Sequence, residues 1–282
     1  MFTFQDIRID SGRYNLYGKL YLIDKNLPTI LLLHGLGFHS FEYDELAPLL
    51  VEQGYNCLAL DFRCCGKSEG ERGYWTLKDY IEDTNSALDY IRAEINDQIG
   101  VFGNSLGATV GVHAAADDRA HKIKSLVASN CATRPIDFVM NSFRKFLLMM
   151  CSIVSKIIPL RVSVNYFLPY SKFLSNSKII RSIKNDKLIS DARKFSVSTY
   201  KELLSWDATK IAGKIDIPIL VLSHNENDLF QTKDQSMLLY NFVKEPKELK
   251  LHDAGHVPNL ENANLVNRIL SDWFNKTLKS QI

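Results

Sequence analysis

The pentapeptide Gly103-Asn104-Ser105-Leu106-Gly107 constrains this chain more than any other stretch. Residues 98–102, Gln-Ile-Gly-Val-Phe, read as a short buried strand, and residues 108–116 are small and apolar enough to pack as a helix under a sheet. Gly-x-Ser-x-Gly at a strand-to-helix turn holds its serine in a strained backbone conformation, with the hydroxyl projecting above the sheet. Glycines are needed on either side because a side chain there would collide with the neighbouring strand or helix. In such a turn the Leu106 amide, a donor with no partner inside its own helix, points to where a carbonyl oxygen would gain charge.

The rest of the chain fits a sheet built around that turn. Residues 4–9 and 19–23 read as an edge hairpin about Asp10-Ser11-Gly12, and residues 29–33, Thr-Ile-Leu-Leu-Leu, as a strand buried on both faces. A helix over 41–53 closed by Gly54, a strand over 55–60 ending at Asp61, and an amphipathic helix over 76–93 capped by Thr76 follow. Beyond the central turn come a strand over 123–129, another over 217–222, a helix over 233–242 and a strand over 248–251. The chain closes on a helix over 262–276 that turns Leu265, Val266, Ile269 and Trp273 inward. Strand and helix alternating at this spacing predict an α/β fold, an open parallel sheet covered by helices on both faces.

Between residues 131 and 201 the alternation fails. Amphipathic pieces are broken there by Pro135, Pro159 and Pro169, which predicts an insertion rather than more sheet. Charge divides the same way: residues 132–200 hold 12 Lys and Arg against 3 Asp and Glu, net +9, and the remainder holds 22 against 29, net −7. The expected organisation is a core domain of residues 1–130 and 202–282 with a helical cap of residues 131–201. At 282 residues the chain is long enough for both.

The five cysteines, Cys57, Cys64, Cys65, Cys131 and Cys151, are odd in number and include an adjacent pair, so reduced thiols in a cytoplasmic protein are expected. The first residues show no basic region followed by an apolar run, and no signal peptide is expected. The most apolar run, 146–154, is about half of the roughly 18 to 20 residues a bilayer span requires.

A serine hydroxyl at neutral pH needs a base to take its proton, and the base needs a third group to fix its tautomer. Of the seven histidines, His256 lies in a loop after the last strand that can reach back over the strand ends. His252 is the rival, at the strand end with its direction set by the sheet. His113 falls two turns into the helix after Ser105 and reads as packed core. The acid should come from the loop after strand 217–222, where Glu226 and Asp228 are available; Asp228 is preferred because Glu226 is closer to the strand and its longer side chain more often stays solvated. The order Ser105, Asp228, His256 is that of the α/β-hydrolase arrangement.

With these residues the chain resembles the α/β-hydrolase superfamily over nearly its whole length, and within it the monoacylglycerol lipase and lysophospholipase branch of serine hydrolases. His34-Gly35-Leu36-Gly37 is similar to the oxyanion loop of that family, which implies that Leu36 donates its amide together with Leu106. The stretch from Asp61 to Gly70 resembles the Asp-x-x-Gly-x-Gly-x-Ser-x-Gly loop, but Cys64 stands where glycine is usual, so a different turn is expected there. Gly255-His256 followed by Pro258 and Glu261 is similar to the histidine loop. The resemblance implies an eight-stranded, mostly parallel sheet with its cap inserted after the sixth strand. It also implies cleavage of carboxylic esters with an apolar acyl part through an acyl-enzyme on Ser105, without metal or organic cofactor. Thioesterase or acyltransferase chemistry uses the same residues, and a non-catalytic ligand receptor on this fold is a rival of another class.

Within the insertion, Phe138, Met140, Phe143, Phe146, Met149 and Met150 are expected to line the acyl site, since unbranched, polarizable methionine adapts to flexible apolar ligands. Arg144, Lys145, Lys156 and Arg161 are interleaved with them, and a basic amphipathic segment suits peripheral contact with an anionic membrane. An apolar face packed on the core with a solvated basic rim is the alternative. The expected partner is a small acyl ester or lipid; nucleic acid is not expected.

Overall fold

The computed structural model describes residues 3–118, 120–139, 160–166 and 169–279. Its main sheet holds eight strands in the spatial order β1-β2-β4-β3-β5-β6-β9-β10. These are β1 (Gln5–Ser11), β2 (Tyr14–Tyr21), β3 (Thr29–Leu33), β4 (Asn56–Asp61), β5 (Ile99–Asn104), β6 (Ile123–Ser129), β9 (Ile219–His224) and β10 (Lys247–His252). β1 and β2 pair antiparallel, β2 runs antiparallel to β4, and every later pair is parallel. This is the α/β-hydrolase fold.

Strands buried on both faces alternate their apolar side chains between two cores. Leu31 and Leu33 of β3 enter one, beneath α2 (Leu77–Glu94) and α3 (Leu106–Ala116), while Ile30 and Leu32 enter the other, beneath α1 (Leu46–Glu52) and the closing helix α11 (Ala263–Thr277). α2 begins as the sequence predicts: Thr76 accepts from the Asp79 amide and the Asp79 carboxylate accepts from the Thr76 amide, a reciprocal cap. In α11 the inward face is Val266, Ile269, Leu270, Trp273 and Phe274, while Leu265 is only half-buried.

One expectation needs correction. The single helix over 41–53 is a 3₁₀ turn, Ser40–Tyr43, followed by α1, and the turn is drawn in because the Ser40 amide donates to Asp61 Oδ1 at 2.6 Å. The turn after β4 carries a strained residue, Cys64. It takes φ 65°, the left-handed conformation glycine favours, and is held there by its amide bonding to Glu69 O at 2.8 Å and its thiol to Tyr74 O at 3.2 Å.

Between β6 and β9 the chain leaves the main sheet. The described residues form α4 (Ile136–Val139), the strand pair β7 (Arg161–Ser163) and β8 (Lys194–Ser196), α5 (Ser177–Asn185), α6 (Lys187–Ala192), α7 (Val197–Ser205) and α8 (Thr209–Ala212). Their apolar cluster of Tyr170, Phe173, Leu174, Ile183 and Ile189 packs on Phe38 and Val257, which belong to loops of the sheet's edge. α9 (Thr232–Phe242) and α10 (Pro258–Glu261) complete the described helices. Among the described residues no helix is long and apolar enough to cross a membrane.

Candidate active site

Ser105 sits between β5 and α3 with φ 53° and ψ −113°, a conformation an L-residue adopts only when its surroundings force it. Its amide donates to Ser129 O on neighbouring β6 at 2.8 Å, and its carbonyl accepts the first helical bond from Thr109 at 3.1 Å. The flanking glycines are required by close approach. A Cβ on Gly103 would lie 2.3 Å from Gly107 O, and one on Gly107 would lie 1.9 Å from Leu33 O.

His256 is buried, and its Nε2 lies 3.0 Å from Ser105 Oγ while its Nδ1 lies 2.8 Å from Asp228 Oδ2. The three residues singled out in the sequence are thus joined in one hydrogen-bonded chain. Asp228 Oδ1 accepts from the Thr232 hydroxyl at 2.6 Å and from the Phe230 amide at 2.8 Å. With its proton committed to Asp228, the Thr232 oxygen presents a lone pair to His256 Nδ1 at 3.0 Å. Both neighbours of Nδ1 are therefore acceptors, which places the ring proton on Nδ1 and leaves Nε2 free to accept from serine. Burial alone would raise the Asp228 carboxyl, but hydrogen bonds and charge from His256, with Thr232 and the Phe230 amide, outweigh it and bring it down to about 2.

The ring of His256 is also held face-on: Phe230 stacks on it with centroids 4.1 Å apart, and Phe173 meets it edge-on at 6.1 Å. Its carbonyl accepts from Asn130 Nδ2 at 2.9 Å, and Asn130 Oδ1 accepts from the His224 amide at 2.8 Å, tying the histidine loop to the ends of β6 and β9. The alternatives fall elsewhere. Glu226 is exposed; His252 is buried beside His224, with its Nδ1 taking the Ala254 amide at 3.2 Å, and burial pushes it down to about 4. His113 lies partly buried on α3, also lowered to about 4 by burial.

The loop from His34 to Gly37 folds over Ser105 through a buried imidazole. His34 Nε2 accepts from the Phe62 amide at 3.2 Å, so Nδ1 carries the proton and donates to Gly35 O at 2.8 Å. Desolvation lowers the His34 pKa to about 4 and keeps the ring neutral, preserving that pattern. Because a trans peptide sets C=O and N–H on opposite sides, anchoring the Gly35 carbonyl turns the Leu36 amide the other way. Leu36 and Leu106 line one apolar cavity with Ser105 and His256.

That cavity draws walls from the chain between β6 and β9 that no motif marked: Phe173, Arg193, Leu203 and Trp206. Arg193 is almost wholly buried. Its Nε donates to Asn165 Oδ1 at 2.8 Å, its Nη1 to Leu36 O at 3.4 Å, and its guanidinium lies 4.4 Å over the Tyr170 ring. Of the residues expected to line an acyl site, Met140, Phe143, Phe146, Met149 and Met150 lie outside the described residues, as does the side chain of Phe138, whose backbone belongs to α4.

Residues 24–256 match the family described as serine aminopeptidase, S33. The chain belongs to the serine aminopeptidase S33 family. Within this hydrolase family it is 25% identical to human monoglyceride lipase over 256 residues, 86% of this chain and 80% of that one. It is 26% identical to the polyketide transferase grgF of Penicillium over 86% of this chain and 85% of that one, and the crystal structure of the α/β hydrolase GrgF superposes with a TM-score of 0.81 at 20% identity, covering 98% and 99%. An abhydrolase domain-containing protein of Dictyostelium discoideum is 23% identical over 73% of this chain, and the match spans 21% of that longer protein.

Proposed function

We propose that this S33-family chain is a serine hydrolase that cleaves carboxylic esters with an apolar acyl group. The observation that carries the reading is the chain Ser105 Oγ, His256, Asp228, ending at an apolar cavity lined by Leu36 and Leu106. His256 Nε2 takes the serine proton as Oγ attacks the carbonyl carbon, and Asp228 stabilises the imidazolium. The two amides hold the oxyanion, whose collapse expels the alcohol with the proton returned by His256. Water then repeats the sequence on the acyl-enzyme. The likeness to monoglyceride lipase supports the ester, and free Cys57, Cys64, Cys65 and Cys131 suit a reducing cytoplasm.

Labelling by a fluorophosphonate, lost in Ser105→Ala, tests the nucleophile. A series of p-nitrophenyl esters tests the acyl group: each buried CH₂ contributes at most about 0.8 kcal/mol, so kcat/KM should climb severalfold per carbon pair until the pocket is full. A preference for acetyl over octanoyl esters would remove the lipid reading. A second reading, acyl transfer to an acceptor other than water, is favoured by the match to a polyketide transferase; product analysis with added alcohols or thiols separates the two.

A further inference from the structure

Glu42 is fully buried on the 3₁₀ turn Ser40–Tyr43, yet its hydrogen-bond partners are amides rather than cations. Oε2 accepts from the Gly35 amide at 2.7 Å, while Oε1 accepts from Asn259 Nδ2 at 3.0 Å and from Asn104 Nδ2 at 3.3 Å. Asn259 Nδ2 also reaches the Glu42 carbonyl at 3.1 Å. These partners belong to three segments, each of which supplies a group to the candidate site. Gly35 opens the loop that presents the Leu36 amide, Asn104 immediately precedes Ser105, and Asn259 lies on α10, three residues after His256.

We propose that Glu42 is a positioning residue whose buried carboxylate ties the Leu36 loop to the serine turn and the histidine helix, and whose negative charge sets the orientation of that loop. The inference rests on the hydrolase reading. His34 fixes the Gly35–Leu36 peptide from one side, as described above, and Glu42 fixes the preceding His34–Gly35 peptide from the other. With both pinned, the Leu36 amide has a single direction.

A charge in this place is costly. Burial raises the Glu42 carboxyl to about 7, and the donors from Gly35, Asn259 and Asn104 offset only part of it. The titratable groups on the turn and the elements packed against it are Tyr43, the capping His39, paired with Asp186, and Asp44, paired with Lys19, His34 after β3, Cys57 and Asp61 on β4 and Glu261 on α10. Asp61 takes the Ser40 and Lys67 amides, and Glu261 takes the Ser175 amide and hydroxyl. With a folded pKa above the usual carboxylate value, the folded state loses stability as pH rises from about 4.5 to 7 and carries the whole cost above that.

Glu42→Gln removes the charge and keeps the shape. The ratio of wild-type to variant kcat should therefore be near one at pH 5.5, rise through about pH 7 and reach about tenfold at pH 8.5, with KM little changed. The melting temperatures should coincide at pH 5, and the variant should melt higher than wild type by a few degrees at pH 8. A merely structural tie gives the opposite melting result, a variant less stable at pH 8, and that outcome or a pH-independent kcat ratio overturns the proposal. If the wild type turns over no ester, the hydrolase reading fails while the melting comparison still decides on Glu42. If Glu42→Gln does not fold, Asn259→Ala decides: loss of a donor to the ionised carboxylate should move the acidic limb of kcat to higher pH, and an unmoved limb overturns the proposal.

Discussion

α3 and α5 are of similar length and do opposite things. α3 is Leu-Gly-Ala-Thr-Val-Gly-Val-His-Ala-Ala-Ala, buried nearly all round, with glycines where it touches β3 and its first turn at the cavity. α5 is Ser-Lys-Ile-Ile-Arg-Ser-Ile-Lys-Asn, which buries Ile183, partly buries Ile179 and Ile180, and exposes Lys178, Arg181 and Lys184. The first is buried nearly all round and fixed by backbone approach at Gly107, and the second rests on one apolar stripe. Chemistry that needs sub-ångström placement belongs with the first kind of element, and recognition that must adapt belongs with the second.

If that division holds, the largest effects lie at the turn into α3. Ser105→Ala and His256→Ala should each lower kcat by about 10⁴ to 10⁶, and the double mutant should lose little more, because residues of one proton-transfer unit are not additive. Near-additive losses in steady-state kinetics would break the assignment. Asp228→Asn should cost up to about 10⁴ by misorienting the imidazole, whereas Glu226→Gln, on an exposed side chain, should be mild. A reversal of those two would move the acid.

The same division explains what the sequence disclosed. β3, β4 and β5 are mainly apolar because both their faces are buried, and the end of β5 is marked by glycines that backbone contact demands. Ser105 was legible for that reason, and His256 and the preferred Asp228 from their loops after the last two strands. Glu42, Asn130, Thr232 and Phe230 were not, since they act through hydrogen bonds or ring contacts to residues distant in sequence. A buried acid three residues after His39 carries no periodic signal. Arg193 was hidden for a further reason: it lies in a basic stretch where a cation is presumed solvated, and only the fold turns it inward.

Arg193 sharpens the comparison because it crosses between the two regions. Its guanidinium bonds to the Leu36 carbonyl from beneath Tyr170, so Arg193→Met should loosen the Leu36 loop and lower kcat/KM by about tenfold, close to the loss of one hydrogen bond to a charged group. Full activity in that variant would mean that the loop is set by the core alone.

The smallest effect on chemistry should come from α5, and it tests whether the exposed cations serve a surface. Arg144, Lys145 and Lys156, expected to meet an anionic membrane, lie outside the described residues; we propose that the exposed Lys178, Arg181 and Lys184 also meet it, each basic residue near such a surface contributing about 1 kcal/mol. Replacing all three by Glu reverses the charge without touching Ile183, so the fold should survive. Hydrolysis of a soluble short-chain ester should change less than twofold, because none of the three lines the cavity around Ser105. Sedimentation with phosphatidylserine vesicles should fall to background in the variant, and in the parent it should weaken as salt rises from low to physiological strength, where the Debye length shrinks to about 8 Å. Parent binding that is absent or indifferent to salt would leave α5 as a solvated rim over a packed face, and an ester rate that drops with the charges would tie its basic side to substrate rather than to membrane.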